Sequence, residues 1–143
     1  MMNALGRLYN MTTSATTAGQ PTKLTHAGGM SIVLIGATSG AATVQQLTAA
    51  SGGTANDFAP VNGADGITEY WRWSAGTWTK VTQAAGATFT AGTGGLAVVD
   101  IGAEALAAGY KYLSASHASG SFVYVQYDLK VGRKVTNLAS NIS

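Results

Sequence analysis

Acid–base or metal chemistry in this chain would have to come from six carboxylates and two histidines. The carboxylates are Asp57, Asp65, Glu69, Asp100, Glu104 and Asp128. They form no DxD, ExxH or HExxH spacing, so no local segment presents paired acids or a metal-and-base set. His26 and His117 lie far apart without a neighbouring carboxylate, and hydrogen bonding at a strand end or connection is the expected role of each. No GxSxG elbow and no phosphate-binding loop ending in GK[ST] occurs. With no cysteine, disulfides and thiolate metal sites are excluded. No catalytic residue, metal or cofactor is therefore expected, and the chain reads as a non-enzyme.

Two segments keep binding chemistry open. The loop NDFAPVNGADG brings Asn56, Asp57, Asn62 and Asp65 together, and such oxygen ligands suit calcium. It lacks the D-x-D-x-D-G spacing and terminal Glu of a calcium loop, and the same residues are those of a long turn. The stretch YWRWSAGTWTK holds all three tryptophans, Trp71, Trp73 and Trp78, with Arg72 among them. With SAGT as a hairpin loop, Trp73 faces Trp78 and Trp71 faces Lys80. Strand alternation then puts Trp71, Trp73, Trp78 and Lys80 on one face and Tyr70, Arg72, Thr79 and Val81 on the other. Each indole can bury on the order of 200 Å², so burial in the chain's own sheet is the expectation, with Tyr70 and Arg72 turned outward. A flat strip stacking on a sugar is the alternative, and it requires exposed indoles.

The elements that position these residues are strands. Short segments rich in Val, Ile, Thr, Tyr and Trp alternate with Gly, Ser, Asn and Asp clusters. Strands are expected near Lys23–His26, Met30–Ala37, Ala42–Thr48, Thr68–Ser74, Thr77–Thr82, Ala87–Thr90, Leu96–Ile101, Tyr110–Ser116 and Ser121–Leu129, with one helical turn at Ala103–Ala107. The last two strands, linked by HASG, read as an antiparallel hairpin. In the final strand Val123, Val125, Tyr127 and Leu129 alternate with Phe122, Tyr124, Gln126 and Asp128. Neither face is strongly polar, so the second face meets a packed sheet or another subunit. The pattern predicts an all-β antiparallel sandwich, immunoglobulin-like or jelly-roll-like, over residues 22–131. Extended arms flank it at 1–21 and 132–143. Both arms are too polar to order alone, and neighbouring chains are expected to hold them.

The 143 residues suffice for one domain. Charged residues make up 10%, against about 25% in ordinary domains. Such a thin charged coat suits a chain much of whose surface other subunits cover. Net charge is +2, and the clustered cations Lys130, Arg133 and Lys134 are too few for a nucleic-acid footprint. The longest apolar run, MSIVLIGA, falls far short of the ~20 residues of a membrane span. The first residues, MMNALGRLYNMTTSATTAGQ, lack the apolar region of a secretory signal.

The run SGAATVQQLTAASGG, followed by TFTAGTGGLAVVDIGA and AAGYKYLSASHASGSFVYVQYDLK, resembles small all-β virion proteins of tailed bacteriophages. The likeness covers about residues 36–138 and is one of turns and strands, closing on RKVTNL. The three-tryptophan hairpin and the N-terminal arm depart from it. The resemblance implies a structural part of the virion, a capsid decoration or cement protein first, with a fibre, tail or glycan-binding module as the alternative. It implies the major capsid protein or other virion proteins as partners and a homo-oligomer, a trimer by preference. It implies no catalytic residue. The residues expected to meet partners are Leu5, Leu8 and Tyr9 of the first arm, Tyr70, Arg72 and Tyr124 of the sandwich, and Arg133 and Lys134 of the second arm.

Overall fold

Strand-forming segments separated by glycine-rich turns build two facing antiparallel sheets in the computed structural model, which describes residues 9–15, 19–38 and 40–129. The strands are β1 (Tyr9–Ala15), β2 (Thr22–Lys23), β3 (Gly29–Ile35), β4 (Ala41–Leu47), β5 (Ala55–Asp57), β6 (Ile67–Ser74), β7 (Thr77–Gly86), β8 (Thr88–Thr90), β9 (Leu96–Gly102), β10 (Tyr112–Ser116) and β11 (Ser121–Tyr127). One sheet has six strands in the order β1-β11-β3-β9-β6-β7. The other runs β2-β10-β4-β5, with β8 also pairing β4. Short 3-10 turns occupy Pro60–Asn62 and Ala103–Ala105, the second inside the segment expected to be helical. The all-β antiparallel sandwich expected from the sequence is the fold observed.

Alternation within each strand fills the space between the sheets. Met30, Ile32 and Leu34 of β3, Ala97, Val99 and Ile101 of β9, and Phe122 and Tyr124 of β11 are buried from one side. Ala42 and Val44 of β4, Phe89 of β8, and Leu113 and Ala115 of β10 meet them from the other. Each large apolar side chain removed from water contributes about 1.5–3 kcal/mol. Two buried glutamines are satisfied inside this core. Gln46 Nε2 donates to the Asn62 carbonyl at 3.1 Å, and its Oε1 accepts the Ala107 N–H at 2.9 Å. Gln126 donates to the Lys23 carbonyl and so ties β11 to β2.

The structure corrects three expectations. The last two strands are not a hairpin: β10 belongs to one sheet and β11 to the other. The HASG link instead crosses the sandwich, and His117 is buried within it, its ring nitrogens against the Ser119 backbone and the Gly40 carbonyl. The first arm contains a strand the sequence reading did not expect. β1 pairs along its whole length with β11 of the same chain, from Tyr9↔Tyr127 to Ala15↔Ser121. Third, Tyr70 and Tyr124, expected to meet partners, are core residues at 5% and 1% exposure. Tyr70 packs edge-on against Phe89, with ring centroids 6.0 Å apart, and Tyr124 stacks on Phe122.

Candidate interaction face

The β6–β7 hairpin has the expected register, Trp71↔Lys80 and Trp73↔Trp78. Pairing continues one step further to Ser74↔Thr77, so the turn is two residues, Ala75 and Gly76. Their φ values of 49° and 81° are both positive, the pattern of the tight hairpin turn that follows strand twist. The division of side chains between the two faces is also as expected. Which face is buried is the reverse. Tyr70 lies in the core and Val81 packs against it, while Trp71 and Trp78 are 48% and 45% exposed. The reason lies in β9, which pairs Arg72 with the fully buried Ala97 and Trp71 with Val98. Residues on the Ala97 side face the second sheet, so the tryptophans go outward.

The tryptophans thereby join an apolar surface spread across the outside of the six-stranded sheet. Directly paired residues share a face, so the ladder defines a row crossing every strand: Thr13, Val123, Val33, Val98, Trp71 and Lys80. Beside it, Met11 pairs with Val125 and is 60% exposed, and Ile35 is 42% exposed. Trp73, half-buried, meets Trp78 edge-to-face at 5.6 Å and 68°. Among the described strand residues of this face, charge sits at two spots. Lys80 Nζ lies 2.6 Å from Glu69 Oε2. Asp100 accepts hydrogen bonds from Ser31 Oγ and Tyr127 Oη, each at 3.1 Å. Burial, with the Asp100 carboxylate adding to it, pushes the Tyr127 phenol up to about 12.

The other candidates do not converge. Among the described residues no group of three or more His, Cys, Asp or Glu side chains could hold a metal ion. In the 56–66 loop the side chains brace the backbone. Asn56 Nδ2 donates to Tyr110 Oη at 2.6 Å, Asn62 Nδ2 to the Asp57 carbonyl at 2.9 Å, and Gln45 Nε2 to Asp57 Oδ1 at 3.2 Å. Leu5, Leu8, Arg133 and Lys134 lie outside the described residues, and Tyr9 is described by its backbone pairing alone. Arg72 is half-buried on the inner face, not turned outward as expected.

Sequence reasoning missed Val33, Ile35, Val98 and Met11 as surface residues. The signal available was β3 itself, GMSIVLI, apolar on both faces. An antiparallel strand of that kind in a two-layer sandwich buries one face and shows the other. Comparison of the chain with protein-family models, curated proteins and solved structures finds no match.

Proposed function

We propose that this protein is a non-enzymatic structural subunit of a tailed-bacteriophage virion, a capsid decoration or cement protein that works by adhesion. The observation that carries the adhesive reading is the apolar row Val123–Val33–Val98–Trp71, continuous across neighbouring strands on the outer sheet face, its valines half-buried and Trp71 exposed. Contiguous apolar surface of this kind is where proteins meet one another, and the low charge of the chain agrees with a covered surface. The virion setting rests on the resemblance of residues 36–138 to phage structural proteins. A small cyclic homo-oligomer or the major capsid protein supplies the opposing surface.

A glycan-binding module is the second reading, favoured by the exposure of Trp71 and Trp78 with Glu69 and Lys80 alongside. The 68° angle between Trp73 and Trp78 counts against a flat stacking strip. Val33→Asp separates the two, because Val33 lies at the centre of the row and away from the indole pair. Sedimentation velocity should show the native protein associated and Val33→Asp monomeric, with unchanged far-UV circular dichroism. A native protein that stays monomeric, fails to bind capsids and binds glycans through Trp71 would overturn the adhesive reading.

A further inference from the structure

The hairpin that carries the tryptophans ends the six-stranded sheet, and among the described residues nothing pairs with the far side of β7. Over Thr77–Thr82 its register with β6 is regular, so the opposite edge presents an ordered run of backbone donors and acceptors. Proteins usually guard such edges with proline, charges or bulges. This stretch has no proline, and its charge, Lys80, is drawn sideways onto Glu69 of β6. The irregularity falls beyond Thr82, where the pairing jumps from Glu69↔Thr82 to Ile67↔Gly86. There Gln83 Nε2 donates to the carbonyls of Ile67 and Thr88 at 3.1 and 2.7 Å, so the break lies outside the regular Thr77–Thr82 stretch.

One side-chain atom behind this edge lacks a hydrogen-bond partner among the described residues. Arg72 pairs with Thr79 on one side and Ala97 on the other, on the inner face of the sheet. Its Nε is buried, and among the described residues nothing accepts its hydrogen. The ion pair formed among those residues is Lys80–Glu69, so no described carboxylate pairs with Arg72. A buried N–H without an acceptor is costly, even on a half-buried arginine. Thr79, the residue between Arg72 and the edge, is short and exposed.

We propose that β7 receives an extended acidic peptide of a partner protein, which adds as a further strand and sets a carboxylate beside Thr79 to pair with Arg72. The backbone edge selects an extended chain, as in other strand-addition complexes. Arg72 selects the charge. A residue opposite Thr79 would stand two strand spacings, about 10 Å, from the Arg72 backbone, within joint reach of an arginine and a glutamate. A second copy does not fit this edge. Among the described edge strands, β1, β2, β7 and β8 carry no acid, and β5, with Asp57, is three residues long.

The test uses two fluorescein-labelled peptides of alternating Thr and Val, one with a central Glu and one with Gln there, and fluorescence anisotropy against the full chain. The native protein should bind the Glu peptide about ten-fold more tightly than the Gln peptide, the scale of one charge-assisted hydrogen bond. Arg72→Met keeps the packing volume and should erase that preference with thermal stability retained. Lys80→Pro, which removes a backbone N–H that points away from β6, should weaken both peptides. Val33→Asp, on the opposite face, should change neither, so failure here is distinct from failure of the adhesive reading. Equal binding of the two peptides, binding of neither, or a preference that survives Arg72→Met would overturn the proposal.

Discussion

The Tyr124 phenol oxygen accepts the backbone N–H of Ala115 at 3.0 Å, reaching from β11 in one sheet to β10 in the other. β2 covers β10 at Tyr112 and Leu113 but not at Ala115, so this N–H is answered by a side chain from across the sandwich. Both residues are buried. Tyr124→Phe keeps the ring and its stacking on Phe122 but leaves the N–H bare, which costs about 1–3 kcal/mol. Urea unfolding should show that loss, with association unchanged because Tyr124 faces inward. An unchanged midpoint would mean that water replaces the phenol.

Tyr127 makes stability depend on alkaline pH. Its phenol titrates at about 12 in the fold, above the ordinary value near 10. The folded state thus holds this proton more tightly than the unfolded chain. The contribution is complete below pH ~10 and is lost as pH rises through about 12. Native protein should lose more stability between pH 9 and 11.5 than Tyr127→Phe, measured by urea denaturation. Parallel curves for the two proteins would remove the role given to the Tyr127–Asp100 hydrogen bond.

The turn at Ala75–Gly76 contains a correctable strain. Ala75 has φ of 49°, where a Cβ is crowded, and a non-glycine residue there costs roughly 1–2 kcal/mol. Asparagine tolerates this region, and Asn-Gly is a preferred pair for such turns. Ala75→Asn should raise stability by about 0.5–1 kcal/mol, seen as a higher melting temperature. A lower one would show that the turn is held by contacts that the alanine makes.

The strand positions and the hairpin register were legible in the sequence because glycine clusters and β-branched runs mark them directly. The orientation of the hairpin was not. Tyr70 on one face and three tryptophans on the other are all capable of burial, so alternation alone cannot choose. The choice is made by β9, where Ala97, Val99 and Ile101 line the core and pull Tyr70 inward with them. Sheet membership was hidden for a related reason. A short link such as HASG closes a hairpin or crosses a sandwich equally well, and in the fold it crosses with its own His117 buried. β1 was hidden by its composition, since YNMTTSA is mostly polar and small, and it takes its place by pairing with β11.

The order β1-β11-β3-β9 also governs when this protein can be built. β3, which contributes Met30, Ile32 and Leu34 to the core, takes both its neighbours from the second half of the chain, and β1 can close the sheet edge only on β11. Contacts between such distant segments slow folding. On the ribosome, the first thirty-five residues therefore emerge without their partners, and the six-stranded sheet becomes complete only after Tyr127 has emerged. If the outer face is the joining surface proposed above, association waits for β11, the last strand among the described residues: until it arrives, the valine row lacks Val123 and stays incomplete.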